Sequence, residues 1–145
     1  MGNWIPNDPT LVAQILKISS AYTPPPPEGF VSPMTWGIED NVVERFGAAG
    51  IPKENISFLR DTFTFNFADK PAELVALFKN YYGPTMNAFD AAEANGKAPD
   101  LQKELEDLYK LNKELSVKNI PVDLNTINAA KEKIDKNKDW LKRVS

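Results

Sequence analysis

Three groups of residues have types and spacings that suggest chemistry. The first is carboxylates: Glu39 with Asp40, and Glu104 with Glu106 and Asp107. Neighbouring acids are what general acid–base catalysis or an oxygen-ligand metal site needs. Glu39 and Asp40, however, stand where a helix starts, and acids there interact well with the helix dipole. Glu104, Glu106 and Asp107 sit among Lys103 and Lys110, as on a solvated helix face. The second group is the seven glycines, which are scattered and form no G-x-G phosphate loop. The third is an aromatic corner, "FKNYYGPTMNAFDAAEANG", where two tyrosines precede a Gly-Pro break and Met86 and Phe89 follow at helical spacing. Aromatic side chains bury large areas and belong by default in cores. Tyr81 and Tyr82 are adjacent, so on one helix they point about 100° apart and cannot both face one core. One of them is expected to line a surface cleft.

Composition removes several functions. The chain has 145 residues, no cysteine and no histidine. Disulfides, thiolate chemistry, the Ser-His-Asp triad and most zinc sites are therefore excluded. Net charge is −3, which argues against a nucleic-acid partner. The charge is unevenly spread: residues 1–115 carry 10 basic and 16 acidic residues, residues 116–145 carry 7 and 4. The tail is thus attracted to its own body or to a neighbour's. No apolar run is long enough to span a membrane. The start, "MGNWIPNDP", has the look of no signal peptide, and a cytoplasmic location is expected.

The elements that would hold these residues are mostly helical. "NDPTLVAQILKISSAY" reads as a helix, with Asp8 as cap, Pro9 in the first turn, and Leu11, Ile15 and Ile18 on one stripe. "TPPPPEGF" breaks regular structure; it reads as a stiff linker, or as a docking site for a proline-binding domain. Val42, Val43, Phe46 and Ala49 mark a short helix stopped by Gly50 and Pro52. In "ISFLRDTFTFNF", Phe63, Phe65 and Phe67 alternate with polar residues, the period-2 pattern of a half-buried strand. A turn near Arg60–Asp61 would make residues 56–67 a hairpin instead. "DKPAELVALFKNYYG" is a helix with Leu74, Leu77, Phe78 and Tyr81 on one face, and Gly83 is placed to end it in a left-handed conformation. A helix through Met86 and Phe89 follows, stopped by Gly96. The next carries Leu101, Leu105, Leu108, Leu111 and Leu115 on a stripe. Residues 124–144 space Ile127, Ala130, Ile134, Asn137, Leu141 and Val144 as 3-4-3-4-3, a further amphipathic helix. The expected fold class is α+β: one domain, mostly helical, with one strand or hairpin at 56–67 and no complete doubly wound sheet.

The run from "SPMTWGIEDNVVERFGAAGIP" through "DTFTFNF" and "YYGPT" to "LQKELEDLY" resembles the C-terminal half of class I S-adenosylmethionine-dependent methyltransferases. "GNWIPND" looks like the Trp-Thr-Pro segment that leaves the fifth strand of that fold. The resemblance covers residues 2–112; residues 113–145 form a helical tail that does not match. It implies an acceptor pocket once walled by Trp36, Tyr82, Met86 and Phe89. It implies S-adenosylmethionine for the full-length family only, because the Gly-rich cofactor loop and the acid ending the second strand have no counterpart here. The chain then resembles an acceptor-side half that is not catalytic alone and binds no cofactor by itself. The alternative is a small-ligand or protein-interaction module using the aromatic corner. Expected partners are a second copy, joined through strand 56–67 and the C-terminal helix, or a separate chain supplying the cofactor half.

Overall fold

The computed structural model describes residues 2–64, 67–117 and 132. Five α-helices are present among them: α1 (Leu11–Tyr22), α2 (Glu39–Ala48), α3 (Pro71–Tyr81), α4 (Gly83–Ala94) and α5 (Ala98–Val117). Short 3-10 turns at Pro33–Gly37 and Lys53–Asn55 flank α2. The expected helix at 124–144 lies outside the described residues except for Glu132, which is helical.

Helices α1, α3, α4 and α5 enclose one core. Ile15, Val75, Ala88, Phe89, Ala92, Leu101, Leu105 and Leu108 are buried together, with Leu11, Ile18, Tyr22, Phe78 and Ala98 packed around them. The leucine stripe of α5 follows its spacing at four of five positions, with Leu101, Leu105, Leu108 and Leu115 buried and Leu111 half-buried. Small residues on α4, Thr85, Ala88 and Ala92, are fully buried and let α1 approach closely. The polar side chains buried between these helices, Gln14, Ser19 and Thr85, are matched, as a dry interior favours. The hydroxyls of Ser19 and Thr85 lie 3.3 Å apart, and the Gln14 side-chain amide donates to the Asp8 carbonyl at 2.7 Å.

The helix ends follow local chemistry, with two shifts. Gly50 and Gly96 take positive φ and close α2 and α4. α1 begins at Leu11 rather than near Pro9: Asp8 spends its carboxylate on the Thr10 N–H at 2.9 Å, in the turn before the helix. Gly83 does not end α3. Tyr82 does so, with φ −113° and ψ 105°, and it serves as both the C-cap of α3 and the N-cap of α4. Gly83 and Pro84 then open α4, where Pro lacks only an N–H that has no helical partner anyway.

The α+β expectation is corrected by this structure: no strand occurs among the described residues, and the fold is helical. Residues 57–64 belong to no helix and to no strand. Alternation specifies which side of a strand is buried, but a strand exists only with a neighbour to fill its N–H and C=O groups. Here a side chain takes the neighbour's place at Phe67. The Tyr109 hydroxyl donates to the Phe67 carbonyl at 2.8 Å, and the two rings meet edge to face with centroids 6.1 Å apart.

One tie between α1 and α5 has a pH signature. The Tyr22 hydroxyl donates to Glu104 Oε1 at 3.0 Å. Burial, and then Glu104, push this phenol up from 10.0 to about 12. The folded state thus favours the protonated phenol. Its stabilisation is complete below pH 10 and is lost as pH rises towards 12. Urea unfolding midpoints should fall across that window, and Tyr22→Phe should fall less steeply; equal slopes would remove this tie as the cause.

Candidate functional site

The aromatic corner opens onto an apolar cleft. About 600 Å³ is enclosed by Trp4, Val12, Phe63, Thr64, Phe67, Leu74, Leu77, Phe78, Tyr81 and Tyr82. That volume falls within the range of small-molecule sites. Leu74 and Phe78 form its floor, shared with the helical core. Leu77 and Tyr81 form a rim on the outer side of α3, 45% and 80% exposed. The stripe predicted for α3 is thus split: Leu74 and Phe78 turn inward, joined by Val75, which the stripe did not include, while Leu77 and Tyr81 are exposed at the rim. Periodicity identifies such a stripe without saying which part of it another element covers.

Both tyrosines line the same cleft. The 100° separation applies between two helical residues, and Tyr82 has left the helix. Its ring meets Phe78 edge to face, with centroids 5.4 Å apart. Burial pushes the Tyr82 phenol up from 10.0, and the Trp4 indole draws it only partly back. The phenol thus keeps its proton to offer. Tyr82 is therefore a neutral hydrogen-bond donor at the wall of an otherwise apolar space. The opposite wall is Phe63, 72% exposed.

The four residues expected to wall an acceptor pocket are not gathered in one place. Tyr82 lines the cleft. Met86, 39% exposed, stands one turn into α4 outside the cleft lining. Phe89 is 2% exposed and sits in the helical core, with Lys79 Nζ 4.7 Å above its ring centroid. Trp36 lies on a second, more polar groove of about 450 Å³, with Trp4, Asp8, Glu39, Phe58, Arg60 and Phe63 also on its walls. Its ring meets Phe46 edge to face at 6.2 Å and carries the Arg45 guanidinium 4.5 Å above it. Arg45 also donates to the Thr35 hydroxyl at 2.6 Å, while its Nη1 is buried with no hydrogen-bond partner. Trp36 thus belongs to the packing of α2. Trp4, Val12 and Phe63 line both grooves. Phe63 was visible in the alternating run, but Trp4 lies on no periodic stripe, and only tertiary packing brings it here.

The acids have other occupations. Glu39 pairs with Arg60 at 3.0 Å, exposed on both sides, so the pair contributes little to stability. Asp107 and Glu106 pair with Lys103 and Lys110 along α5. No cluster of three or more metal-ligating side chains occurs among the described residues. No helix among them is long and apolar enough to cross a membrane. The site offers binding: aromatic area, one phenol donor and an open side. No family model matches this chain, and neither a curated protein nor a solved structure does.

Proposed function

We propose that this chain is the acceptor-side half of a class I S-adenosylmethionine-dependent methyltransferase, active in the cytoplasm only when a cofactor-binding half completes it. The observation that carries this reading is the cleft itself. It is aromatic, of ligand size, and bounded on one side by Phe63, Thr64 and Phe67, which belong to no helix and no strand. A wall of that kind fits a fold whose remaining sheet is supplied elsewhere. Methyl transfer requires the sulfonium held in line with the acceptor atom. Within this chain the cleft offers an acceptor surface, and the sequence offers no glycine-rich loop to hold the cofactor.

The alternative is a binding module for an apolar ligand or a partner protein. The convergence of Tyr81 and Tyr82 on one cleft, with a retained phenol proton, favours it to the same extent. Two titrations separate the readings. Calorimetry with S-adenosylmethionine should give no saturable heat with the chain alone; micromolar binding would overturn the half-enzyme proposal. Small aromatic compounds bearing one hydrogen-bond acceptor should raise the melting temperature under either reading. If Tyr82→Phe leaves that rise unchanged, the phenol takes no part in binding.

A further inference from the structure

We infer that the polar groove beside the cleft binds a neutral polyhydroxylated ring, of the class to which monosaccharides belong, with its C–H face on Trp4 and Phe58 and its hydroxyls on Asp8, Glu39 and Asp61. The inference concerns this second groove and stands whether or not the cleft takes a methyl acceptor.

The lining is the first argument. The groove, of about 450 Å³, has the size of a small-molecule site. Its walls are of two kinds. Trp4, Trp36 and Phe58 supply aromatic surface. Trp4 and Phe58 are exposed and present that surface to a ligand. Trp36 is half-buried, and the Arg45 guanidinium covers one face of its ring. The other kind of wall is carboxylate: Asp8, Glu39 and Asp61. Each of these spends one oxygen inside the chain. Asp8 Oδ1 accepts from the Thr10 N–H at 2.9 Å, and Asp61 Oδ1 from the Thr62 N–H at 2.7 Å. Glu39 Oε1 accepts from the Arg60 guanidinium at 3.0 and 3.2 Å. Asp8 Oδ2, Asp61 Oδ2 and Glu39 Oε2 take no hydrogen bond among the described residues. An ionised carboxylate only accepts, so a matching ligand is rich in donors.

Charge is the second argument, because an ammonium would donate as well as a hydroxyl. Three carboxylates line the groove against the one guanidinium of Arg60, but further positive charge stands close by. Helices α1 and α2 both start here, where Thr10, Leu11 and Glu39 line the groove. Each helix start carries about half a positive charge. Arg45 lies against Trp36 at 4.5 Å. Lys79 pairs with Glu93 at 2.8 Å and lines neither groove. Little net charge is left to draw a cation, and the carboxylates oppose an anion. A neutral ligand meets no such opposition, and its hydroxyls form charge-assisted hydrogen bonds to the carboxylates. Arg60 supplies donors for the ligand's own oxygens. A sugar ring combines an apolar C–H face with an edge of hydroxyls, as the groove combines aromatic with carboxylate walls.

Saturation-transfer NMR with the methyl glycosides of glucose, galactose and mannose, at millimolar concentration, should show saturable transfer to at least one of them, strongest at the ring C–H protons. Asp61 is exposed and belongs to no helix. Asp61→Asn should weaken that binding about tenfold, the worth of one hydrogen bond to a charged group. Phe58→Ser should weaken it several-fold, and the helical circular dichroism of both variants should match the parent. Tyr81→Ala, on the rim of the cleft, should leave it unchanged. No transfer to any of the three glycosides would overturn the proposal. Binding that Tyr81→Ala abolishes and Asp61→Asn spares would place the sugar in the cleft and overturn it too. Tetramethylammonium and inorganic phosphate are the charged probes. If either binds more tightly than the glycosides, with a change in tryptophan emission that Asp61→Asn alters, the groove belongs to an ion and the proposal is wrong.

Discussion

Phe89→Ala should cost about 3–5 kcal/mol, the usual loss for emptying a buried aromatic position. Phe89 is 2% exposed and packs with Ile15, Val75, Leu101 and Leu105 in the core. Three helices close over it, so the space left behind cannot collapse without moving α4 on α1. Stabilities of single domains are about 5–15 kcal/mol, so this one change removes a large part. The melting temperature should fall by roughly 10 °C or more. Tyr81→Ala and Met86→Ala remove side chains that are 80% and 39% exposed, and surface changes of that kind usually stay within about 0.5 kcal/mol. The contrast separates two roles within one aromatic corner. Tyr81→Ala should weaken binding of aromatic ligands with stability intact, whereas Phe89→Leu should lower stability mildly with binding intact. Chemical denaturation and ligand-induced melting shifts on the four variants test it. A Phe89→Ala chain as stable as the parent would mean that this corner is not part of the core.

Gly37→Ala should displace the Trp4 wall that both grooves share. A Cβ on Gly37 would overlap the Trp4 carbonyl oxygen and come within 2.9 Å of Pro6 Cδ. The obstacle is backbone, which cannot swing aside as a long side chain does. Either the N-terminal segment lifts off the turn at Pro33–Gly37, or the turn and α2 move. Forced overpacking of this kind typically costs about 1–3 kcal/mol. The larger consequence is functional. Trp4 would lose its place beside Tyr82 in the cleft wall. Binding of small aromatic compounds should drop to the level of a Trp4→Ala variant, and tryptophan emission should shift to longer wavelength. Unchanged emission together with unchanged binding would show that the segment adapts in place, and the shared-wall argument would be wrong.

These two sites differ in how far the sequence discloses them. Phe89 stands on a helical stripe, and burial of an aromatic there is its default. A pocket role for it came from the resemblance, and the packed core leaves that ring no open face in the cleft. The closeness of Gly37 and Trp4 follows from no local pattern. They are 33 residues apart, in segments whose meeting depends on how the proline-rich connection turns. Trp4 therefore gained its role only when the chain was folded.

The same division runs through the whole protein. Periodicity and stop signals in the sequence by themselves determined the helices: the leucine stripe of α5, the glycine stops at Gly50 and Gly96, and Pro84 in the first turn of α4. Helices satisfy their backbone hydrogen bonds internally, so local spacing is enough to specify them. The strand at 56–67 failed for the complementary reason. Its alternating phenylalanines describe one strand correctly in isolation, but a ladder needs a second chain segment, and no residue pattern within the run states whether one is present. The cleft is likewise a product of tertiary structure. Tyr81 and Tyr82 share it because the backbone leaves the helix between them, and Leu77 remains exposed because no described element covers that side of α3.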